Sequence, residues 1–592
     1  MALSHFLFWL YQRIVRILWP SRGLLIQQPL SPDQLQLLGV PTTPVLQDPV
    51  SPQPSPANPS SLQANRVRSA AAVQRFQDGL RNFRIRSSVE NSHFFISEPI
   101  LKHLVDDTVY DILASSNNVD RYVQIISQHA VKLFAVLIDM KREDCITQIL
   151  DEGIRDSDLP FRQALKFDGS TRLATTHEVP IMALQFWDSM SLESLEIKQY
   201  RVLSPVFRTH EHYDLLEKNI LPFVPHNAEP DSWPKVAGGF GEVYPVCIHQ
   251  SHHEFGQGDL PVAVKRMFHA NDFYHERKAY RDLGPSAHPH IIELLFTYQY
   301  RKKFHLVFPW ATGTLKDYWK INANPVISSA FFWWAIQQMA GIASGLAYFH
   351  DFKDPRTGAP RFGRHGDIKA ENILRFPLTY CPGILKIADL GLARIHSENS
   401  RSNVDPNSVD HSPTYCPPDA KRKCKISRKY DIWSLGCMYL DWVSYLLLGY
   451  QAIKDFSNLR LEGSTSEYAE FRQDTFYTAN GEIVNPHVFV WVNKLKQHPR
   501  CSQMLHDILD VIMKKMIVIL PEVRGSSQDV TQAFERILIH AQQDENYLAG
   551  PNLVTESPPA PRLSCCAAEF RGRGVPRTRD SWSTTKARTW NF

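Results

Sequence analysis

The amino-acid sequence predicts a mixed α+β fold, and three observations support this class. Between residues 100 and 150, apolar side chains recur at helical spacing, which predicts a small helical domain that extends to about Leu221. Further along, residues 261–265 (PVAVK) alternate in the way that a half-buried strand does. From about Asn271 to Gln542 the pattern changes from mixed structure to mostly helix. We therefore expect a helical domain first, and then a larger domain in which strands precede helices.

Composition is that of a soluble globular protein with more than one domain. The 592 residues exceed a single domain of ~150 residues, and the charged and apolar fractions are 21% and 43%. With 65 basic and 61 acidic residues, the net charge of +4 gives no reason to expect nucleic acid as a partner. The nine cysteines show no paired metal-ligand spacing, which predicts reduced thiols in an intracellular protein, cytoplasmic or nuclear.

Changes in composition divide the chain into five predicted regions. These are an amphipathic N-terminal helix (1–28), a disordered Pro/Ser-rich linker (29–90), a helical accessory domain (91–221), the larger α+β domain (222–545) and a disordered basic tail (546–592).

Residues 6–19 (FLFWLYQRIVRILW) are apolar except on one helical face, which carries Gln12, Arg13 and Arg16. The segment is too short for a comfortable membrane span, and an interfacial amphipathic helix fits it better. Because no acidic residue precedes Asp33, mitochondrial targeting stays open, as does a helix docked on another protein.

The segment 365–372 (HGDIKAEN) carries the chemistry of phosphoryl transfer. Asp367 can accept a proton from an attacking hydroxyl, and Lys369 can neutralise charge on the moving phosphoryl group. Asn372 can hold a metal ion through its amide oxygen. Shortly afterwards, Asp389 in the segment ADLGLA offers a carboxylate for Mg²⁺.

Two upstream features fit a nucleotide site. The glycine-rich segment 236–244 (VAGGFGEVY) can lie close over a triphosphate, because glycines let backbone N–H groups face phosphate oxygens; a flexible turn between two strands is the plain alternative. The predicted strand that follows ends at Lys265. Because its apolar residues alternate and bury one face, we expect the Lys265 side chain to point toward a nucleotide cleft. Such a lysine needs a carboxylate partner, for which Glu276 is the candidate.

In this order, the motifs resemble those of the eukaryotic protein kinases from roughly Leu221 to Gln542. The segments LVFPWATGTLKDYW and YDIWSLGCMYLDW are most similar to kinase-like proteins of filamentous fungi. The resemblance implies a bilobal fold, with a small antiparallel β-sheet lobe that carries one helix and a large helical lobe. It also implies ATP and Mg²⁺ as cofactors and protein hydroxyls as acceptors. Lys369 resembles the lysine of serine/threonine-directed kinases.

The resemblance also assigns roles to individual residues. The catalytic residues are Asp367, Lys369 and Lys265. The ATP-binding residues are Val236, Gly238, Gly239, Gly241, Val243, Ala263, Lys265, Glu276, Phe308 at the gatekeeper position, and Ala311 in the hinge. The metal ligands are Asn372 and Asp389, and the structural residues are Ser412, Asp419, Asp431 and Arg524, with Arg524 as the buried partner of Asp419.

Several positions depart from the kinase pattern. Val236 replaces a glycine, Pro309 lies in the hinge, and the short separation of Lys265 and Glu276 suggests a helix truncated at its start. Gly366 replaces an arginine that pairs with a phosphorylated activation loop, which predicts activity that depends little on that phosphorylation. Two alternatives to a kinase therefore stay open: a pseudokinase scaffold, and a membrane-peripheral adaptor whose function lies in residues 1–220.

Overall fold

A computed structural model describes residues 59–89, 93–165, 171–225, 236–237, 240–285, 287–378, 381–397, 414–419, 421–422, 426–462 and 473–549. The N-terminal helix, the first half of the linker and the basic tail of the sequence analysis lie outside these ranges and stay predictions. Among the described helices, none combines the length and the apolar character that crossing a bilayer requires.

The region before the sheet is mainly helical. Its helices are α1 (Pro59–Asn82), α2 (Glu98–Ile112), α3 (Val119–His129), α4 (Val131–Asp139), α5 (Ile146–Asp151) and α6 (Ser189–Lys198). Two short strand pairs accompany them, β1 (Ile85–Arg86) with β2 (Phe94–Phe95) and β3 (Arg162–Leu165) with β4 (Thr171–Ala174). Helix α4 is buried along almost its whole length and forms the centre of this domain.

Helix α1 corrects the predicted linker, because residues 59–82 form a helix and not a disordered segment. Ala72, Phe76 and Leu80 are buried, and their spacing of four residues makes one apolar stripe that packs against the accessory domain. Gln77 adds a buried hydrogen bond from its Nε2 to the carbonyl of Ile138. The polar residues on the other faces of α1 give the segment the overall composition of a linker.

A mainly antiparallel sheet forms the small lobe. Its strands are β5 (His212–Asp214), β6 (Phe223–Val224), β7 (Val236–Ala237), β8 (Gly241–Ile248), β9 (Leu260–Met267), β10 (Phe296–Tyr300) and β11 (Lys303–Pro309). The strand order is β5-β10-β11-β9-β8-β6, with β7 also paired to β8, and only β5 runs parallel to its neighbour. Helix α7 (Ala270–Leu283) connects β9 to β10 and packs against the sheet.

The large lobe is built around helix α10 (Lys429–Leu448), in which every side chain from Tyr430 to Leu447 is buried. Around it lie α8 (Leu315–Ile321), α9 (Ser329–His350), α11 (Tyr450–Glu462), α12 (Pro486–Lys496), α13 (Gln503–Val511), α14 (Ser527–Gln543) and α15 (Glu545–Ala549). Short strands lie on the side that carries the phosphoryl-transfer segment: β12 (Phe352–Lys353), β13 (Pro360–Arg364), β14 (Ile373–Leu378), β15 (Cys381–Ile387) and β16 (Arg394–His396). The two-lobed α+β fold with a preceding helical domain is thus confirmed.

Candidate active site

Lys265 lies at the centre of a charged cluster at the base of the small lobe. Its Nζ is 2.8 Å from Oε2 of Glu276 and 2.8 Å from Oδ1 of Asp389. Strand β9 supplies the lysine, helix α7 supplies Glu276, and the segment after β15 supplies Asp389. The Glu276 side chain is fully buried, whereas that of Asp389 is 37% exposed. The cluster is therefore closed on the helix side and open on the side of Asp389.

Burial and the charges of this cluster together shift the pKa values of all three groups. Burial raises the pKa of the Glu276 carboxyl to about 7. Burial alone would lower the pKa of Lys265, but the carboxylates of Glu276 and Asp389 raise it overall. Burial would likewise raise the pKa of Asp389, yet the charge and hydrogen bond of Lys265 lower it. Two carboxylates share one ammonium group, so the open side of the cluster favours a further positive charge.

The short Lys265–Glu276 separation does not prevent this ion pair. Helix α7 begins at Ala270, well before Glu276, so at least one full turn precedes the carboxylate and orients it. The predicted pairing of these two residues is present in the structure.

Asp367, Lys369 and Asn372 form a second cluster in the loop before β14. Lys369 Nζ lies 2.7 Å from Asp367 Oδ2, and the Asn372 side-chain amide donates to the same oxygen at 2.8 Å. Asn372 also donates to the backbone carbonyl of Asp367 at 2.8 Å, so the loop closes on itself. These bonds fix the Asp367 carboxylate beside one cation and orient the amide oxygen of Asn372 away from it.

Asp431, at the start of α10, holds the backbone of this loop. Its fully buried carboxylate accepts the backbone N–H groups of His365 and Gly366, both at 2.8 Å. Its pKa is lowered although burial opposes this, chiefly because the imidazole of His350 lies 2.8 Å away. The anchoring role that the resemblance implied for Asp431 matches this geometry. The contribution of His350 was missed, because 81 positions of sequence separate it from Asp431 and hide their proximity.

Several of the remaining sequence-predicted nucleotide residues lie on paired strands of the small-lobe sheet. Val243 pairs with Lys265 across β8 and β9, and Ala263 pairs with Phe308 across β9 and β11. Phe308 is buried, and Ala311 follows directly after β11. The backbone of Val236 lies in β7, whereas Gly238 and Gly239 lie outside the described residues.

Gly241 shows why a glycine occupies its position. A Cβ at this residue would lie 2.4 Å from the backbone carbonyl of Arg266, so no other residue fits the close approach of β8 to β9.

Asp419 and Arg524 form the predicted buried pair in the large lobe. Arg524 donates through both terminal nitrogens to Asp419, at 2.7 and 3.2 Å, and both side chains are fully buried. Three backbone carbonyls, of Lys429, Val518 and Ile519, accept its remaining N–H groups. Ser412, the fourth structural residue, lies outside the described ranges.

A divalent cation fits the donor set of this cleft. Asp389 and Asn372 offer a carboxylate and an amide oxygen, and Asp389 adopts a φ of +67°, a strained conformation that residues at functional sites often hold. Among the residues described, no group of three or more His, Cys, Asp or Glu side chains could by itself enclose a metal ion. A hard cation such as Mg²⁺ commonly takes one or two protein ligands and completes its shell with phosphate oxygens and water.

A comparison with known protein families shows the family to which this chain belongs. The family model described as "Protein kinase domain" matches residues 237–532, which is half of the chain. The chain belongs to the protein kinase family. The matched range contains every residue that is predicted above to be catalytic or metal-binding. The eukaryotic protein kinase resemblance and its fold are confirmed.

Individual relatives of this kinase are distant and diverse. It is 29% identical over 214 residues to the leucine-rich repeat receptor protein kinase EMS1 of Arabidopsis thaliana, covering 35% of this chain and 16% of the relative. It is 26% identical over 223 residues to the tyrosine-protein kinase FRK of Homo sapiens (37% and 39%). It is 28% identical over 225 residues to the serine/threonine-protein kinase tousled-like 2 of Mus musculus (34% and 28%). The chain therefore spans well under two thirds of the length of these relatives, and they include both serine/threonine and tyrosine kinases.

Proposed function

We propose that this protein is a serine/threonine kinase that transfers the γ-phosphoryl group of ATP, with Mg²⁺, to hydroxyl groups of protein substrates. The observation that carries the proposal is the contact of Lys369 with Asp367, 2.7 Å between Nζ and Oδ2. A hydroxyl that is aligned by Asp367 would therefore also lie near the Lys369 cation, and the sequence shares this lysine with serine/threonine-directed kinases.

Asp367 is the proton acceptor and the aligning group in this mechanism. Its carboxylate is held by Lys369 and Asn372, so it can receive the hydroxyl proton of a serine or threonine without moving. The proton would pass to a carboxylate oxygen as the hydroxyl oxygen bonds to the γ-phosphorus and the bond from that phosphorus to the departing ADP breaks. Fixed orientation of the attacking group accounts for much of the rate in such reactions, because there is little covalent chemistry for the protein to perform.

Lys265, Asp389 and Asn372 supply the electrostatics. When bound, the metal nucleotide supplies the phosphoryl group and neutralises part of its charge. Lys265, fixed by Glu276, would bind the α and β phosphates, and Asp389 with Asn372 would hold Mg²⁺. The excess negative charge of the cluster around Lys265 favours this cation on the open side of Asp389.

Autophosphorylation with Mg-ATP tests this proposal directly. We expect wild type to incorporate phosphate on serine or threonine, and Asp367→Asn to lose about 10²- to 10⁴-fold of that rate, the range attributed to a positioned base. Asp455→Asn is the matched control, because Asp455 is exposed on α11 and contacts Gln451 of the same helix. Equal incorporation by wild type and Asp367→Asn would contradict catalysis and favour the pseudokinase scaffold. Phosphotyrosine alone would contradict the serine/threonine assignment.

We also propose an intracellular location, cytoplasmic or nuclear, with residues 6–19 as a peripheral membrane contact. The amphipathic pattern of that segment supports the proposal. Deleting residues 6–19 and following the protein in cells tests it. Identical, diffuse distributions of both forms would rule out the membrane contact.

A further inference from the structure

A hairpin inserted between α9 and the catalytic loop contacts the small lobe. Strands β12 and β13 pair antiparallel, and two backbone hydrogen bonds of 2.8 Å close their turn, from Asp354 N–H to the Ala359 carbonyl and from Gly358 N–H to the Asp354 carbonyl. On its other edge, β13 pairs with β16, the strand that follows Asp389. The hairpin is therefore tied to the segment that leads away from the metal-binding residue.

Asp354 organises the turn of this hairpin. Its buried carboxylate accepts from the backbone N–H and the Nε of Arg356, at 3.0 and 3.2 Å, and from a terminal nitrogen of Arg361 at 3.1 Å. These hydrogen bonds, those of Arg356 above all, lower the pKa of Asp354 to about 2. The Arg356 guanidinium thus has a fixed direction.

That direction points to the C-terminal end of helix α7. A terminal nitrogen of Arg356 lies 3.1 Å from Asp282, whose side chain is only 4% exposed and also accepts from Lys278. The helix end is in direct contact with the hairpin as well. Gly284, with a φ of +79°, caps α7, and a Cβ there would lie 2.5 Å from the ring of Pro355. Ion pair and packing together hold this end of α7 against the large lobe.

We propose that the hairpin positions Glu276 for phosphoryl transfer, with Arg356 as a positioning residue that acts through Asp282. Glu276 and Asp282 lie on the same 14-residue helix, fewer than two turns apart, so fixing one end limits how far the Glu276 carboxylate can move from Lys265. The role in turnover rests on the proposed function. The mechanical link between hairpin and helix does not, and it can be measured separately.

Arg356→Ala tests the kinetic part in the full-length chain. We expect KM for Mg-ATP to rise about three- to tenfold, because a half-exposed ion pair is lost but several neighbouring bonds remain. Arg356→Lys should recover part of the loss, since it keeps the charge. The matched control is Arg208→Ala, because Arg208 is 54% exposed and paired with Glu254, much as Arg356 is 51% exposed and paired with Asp282. A KM in Arg356→Ala equal to that of the control would overturn the proposal.

Hydrogen exchange of residues 270–283 tests the mechanical part without turnover. We expect exchange in the last two turns of α7 to become about three- to tenfold faster in Arg356→Ala, and to be unchanged in Arg208→Ala. If Arg356→Ala does not fold, Asp282→Asn removes the same pair while keeping the side-chain shape, and the same comparison applies.

The outcomes of the two proposals can be told apart. If wild type transfers no phosphate, the proposed function fails, and only the mechanical link between hairpin and helix can still be tested. Faster hydrogen exchange of α7 in Arg356→Ala would support that link, and unchanged exchange would overturn it.

Discussion

Two buried ionic centres of this kinase differ in how completely their charges are balanced. In the cleft, Lys265 faces two carboxylates and the side chain of Asp389 is 37% exposed. In the large lobe, Arg524 faces the single carboxylate of Asp419 and also donates to three backbone carbonyls. The first centre carries surplus negative charge and an open side, whereas the second is neutral and sealed.

This difference distinguishes a centre suited to binding a cation and phosphates from a centre suited only to stabilising the fold. A buried pair whose hydrogen bonds are all satisfied has no donor or acceptor available for a ligand. Its role is to hold together the segments that it connects. An incompletely balanced centre can accept a cation and its phosphates, at the cost of holding one carboxylate under strain, as the raised pKa of Glu276 indicates. The contrast makes opposite predictions for mutations at the two places.

Asp389→Asn should have the largest effect, and on activity alone. We expect phosphoryl transfer to fall about 10³- to 10⁴-fold, equivalent to about 4–5.5 kcal/mol, because the variant loses the carboxylate that would hold the metal. The free energy of unfolding should change by less than about 1 kcal/mol, since Lys265 keeps Glu276 as a balancing partner. Single-turnover kinetics and urea denaturation measure the two quantities. A loss of activity below tenfold would remove Asp389 from the reaction.

Asp419→Asn should instead have its main effect on stability. It leaves the charge of Arg524 buried without a carboxylate, which we expect to lower the free energy of unfolding by on the order of 3 kcal/mol. The exposed control Asp455→Asn should stay within about 0.5 kcal/mol of wild type. Denaturant unfolding of the two variants decides the question, and equal midpoints would mean that the sealed pair contributes nothing to stability.

The pH dependence of activity and of stability should both reflect the raised pKa of Glu276. Because burial raises its pKa to about 7, we expect activity to fall about tenfold per pH unit below pH 7, since only the charged carboxylate holds Lys265. Stability should change in the opposite direction. Between about pH 4.5 and 7 the Glu276 carboxyl is protonated in the folded state but ionised in the unfolded state, where its pKa is 4.5. The contribution of Glu276 to the free energy of unfolding therefore decreases as pH rises from about 4.5 to 7.

Glu276→Gln is the variant that isolates this titration. It should remove both trends, which pH–rate profiles and denaturation between pH 5.5 and 8 would show. An unchanged acidic limb in this variant would assign the titration to another group.

Gly366→Ala should have a smaller effect on stability. Gly366 has a φ of +85°, and an added Cβ would lie 3.3 Å from the carbonyl of Leu392. We expect a loss of about 1 kcal/mol in the free energy of unfolding from the left-handed backbone, with the Asp431 hydrogen bonds kept. A gain in stability on urea denaturation would show that the loop relaxes without cost.

Phosphatase treatment should produce the smallest effect. Because Gly366 offers no cation to a phosphorylated activation loop, we expect the rate to change by less than about twofold after dephosphorylation. Phosphopeptide mapping of residues 397–408 identifies the relevant serines. Loss of activity that maps to one of them would overturn the prediction.

The site could be predicted from the sequence where its chemistry is local. Asp367, Lys369 and Asn372 lie within eight consecutive residues, and their side chains meet because the loop folds back on itself. The approach of His350 to Asp431 depends instead on packing between α9 and α10, for which no short motif exists.

The fold was predictable to a similar extent. Long helices and the strand that carries Lys265 show clear periodicity, which predicts their type. Helix α1 was missed because its buried apolar residues Ala72, Phe76 and Leu80 are diluted by polar ones, and strand β5 was missed because three residues cannot show alternation. Both elements depend on tertiary contacts that composition does not reveal.

Strand β5 has a practical consequence for where the kinase domain begins. It pairs with the outer edge of β10, whose residues Thr297, Tyr298 and Gln299 would otherwise lie at the border of the sheet without a neighbouring strand. Uncovered edges rich in aromatic and β-branched residues recruit strands from other molecules and aggregate. A chain cut at residue 222 would keep the whole catalytic apparatus but lose this cover. We therefore expect His212–Asp214 to protect the kinase domain from self-association, and a fragment that starts upstream of them to aggregate less than one that starts at residue 222.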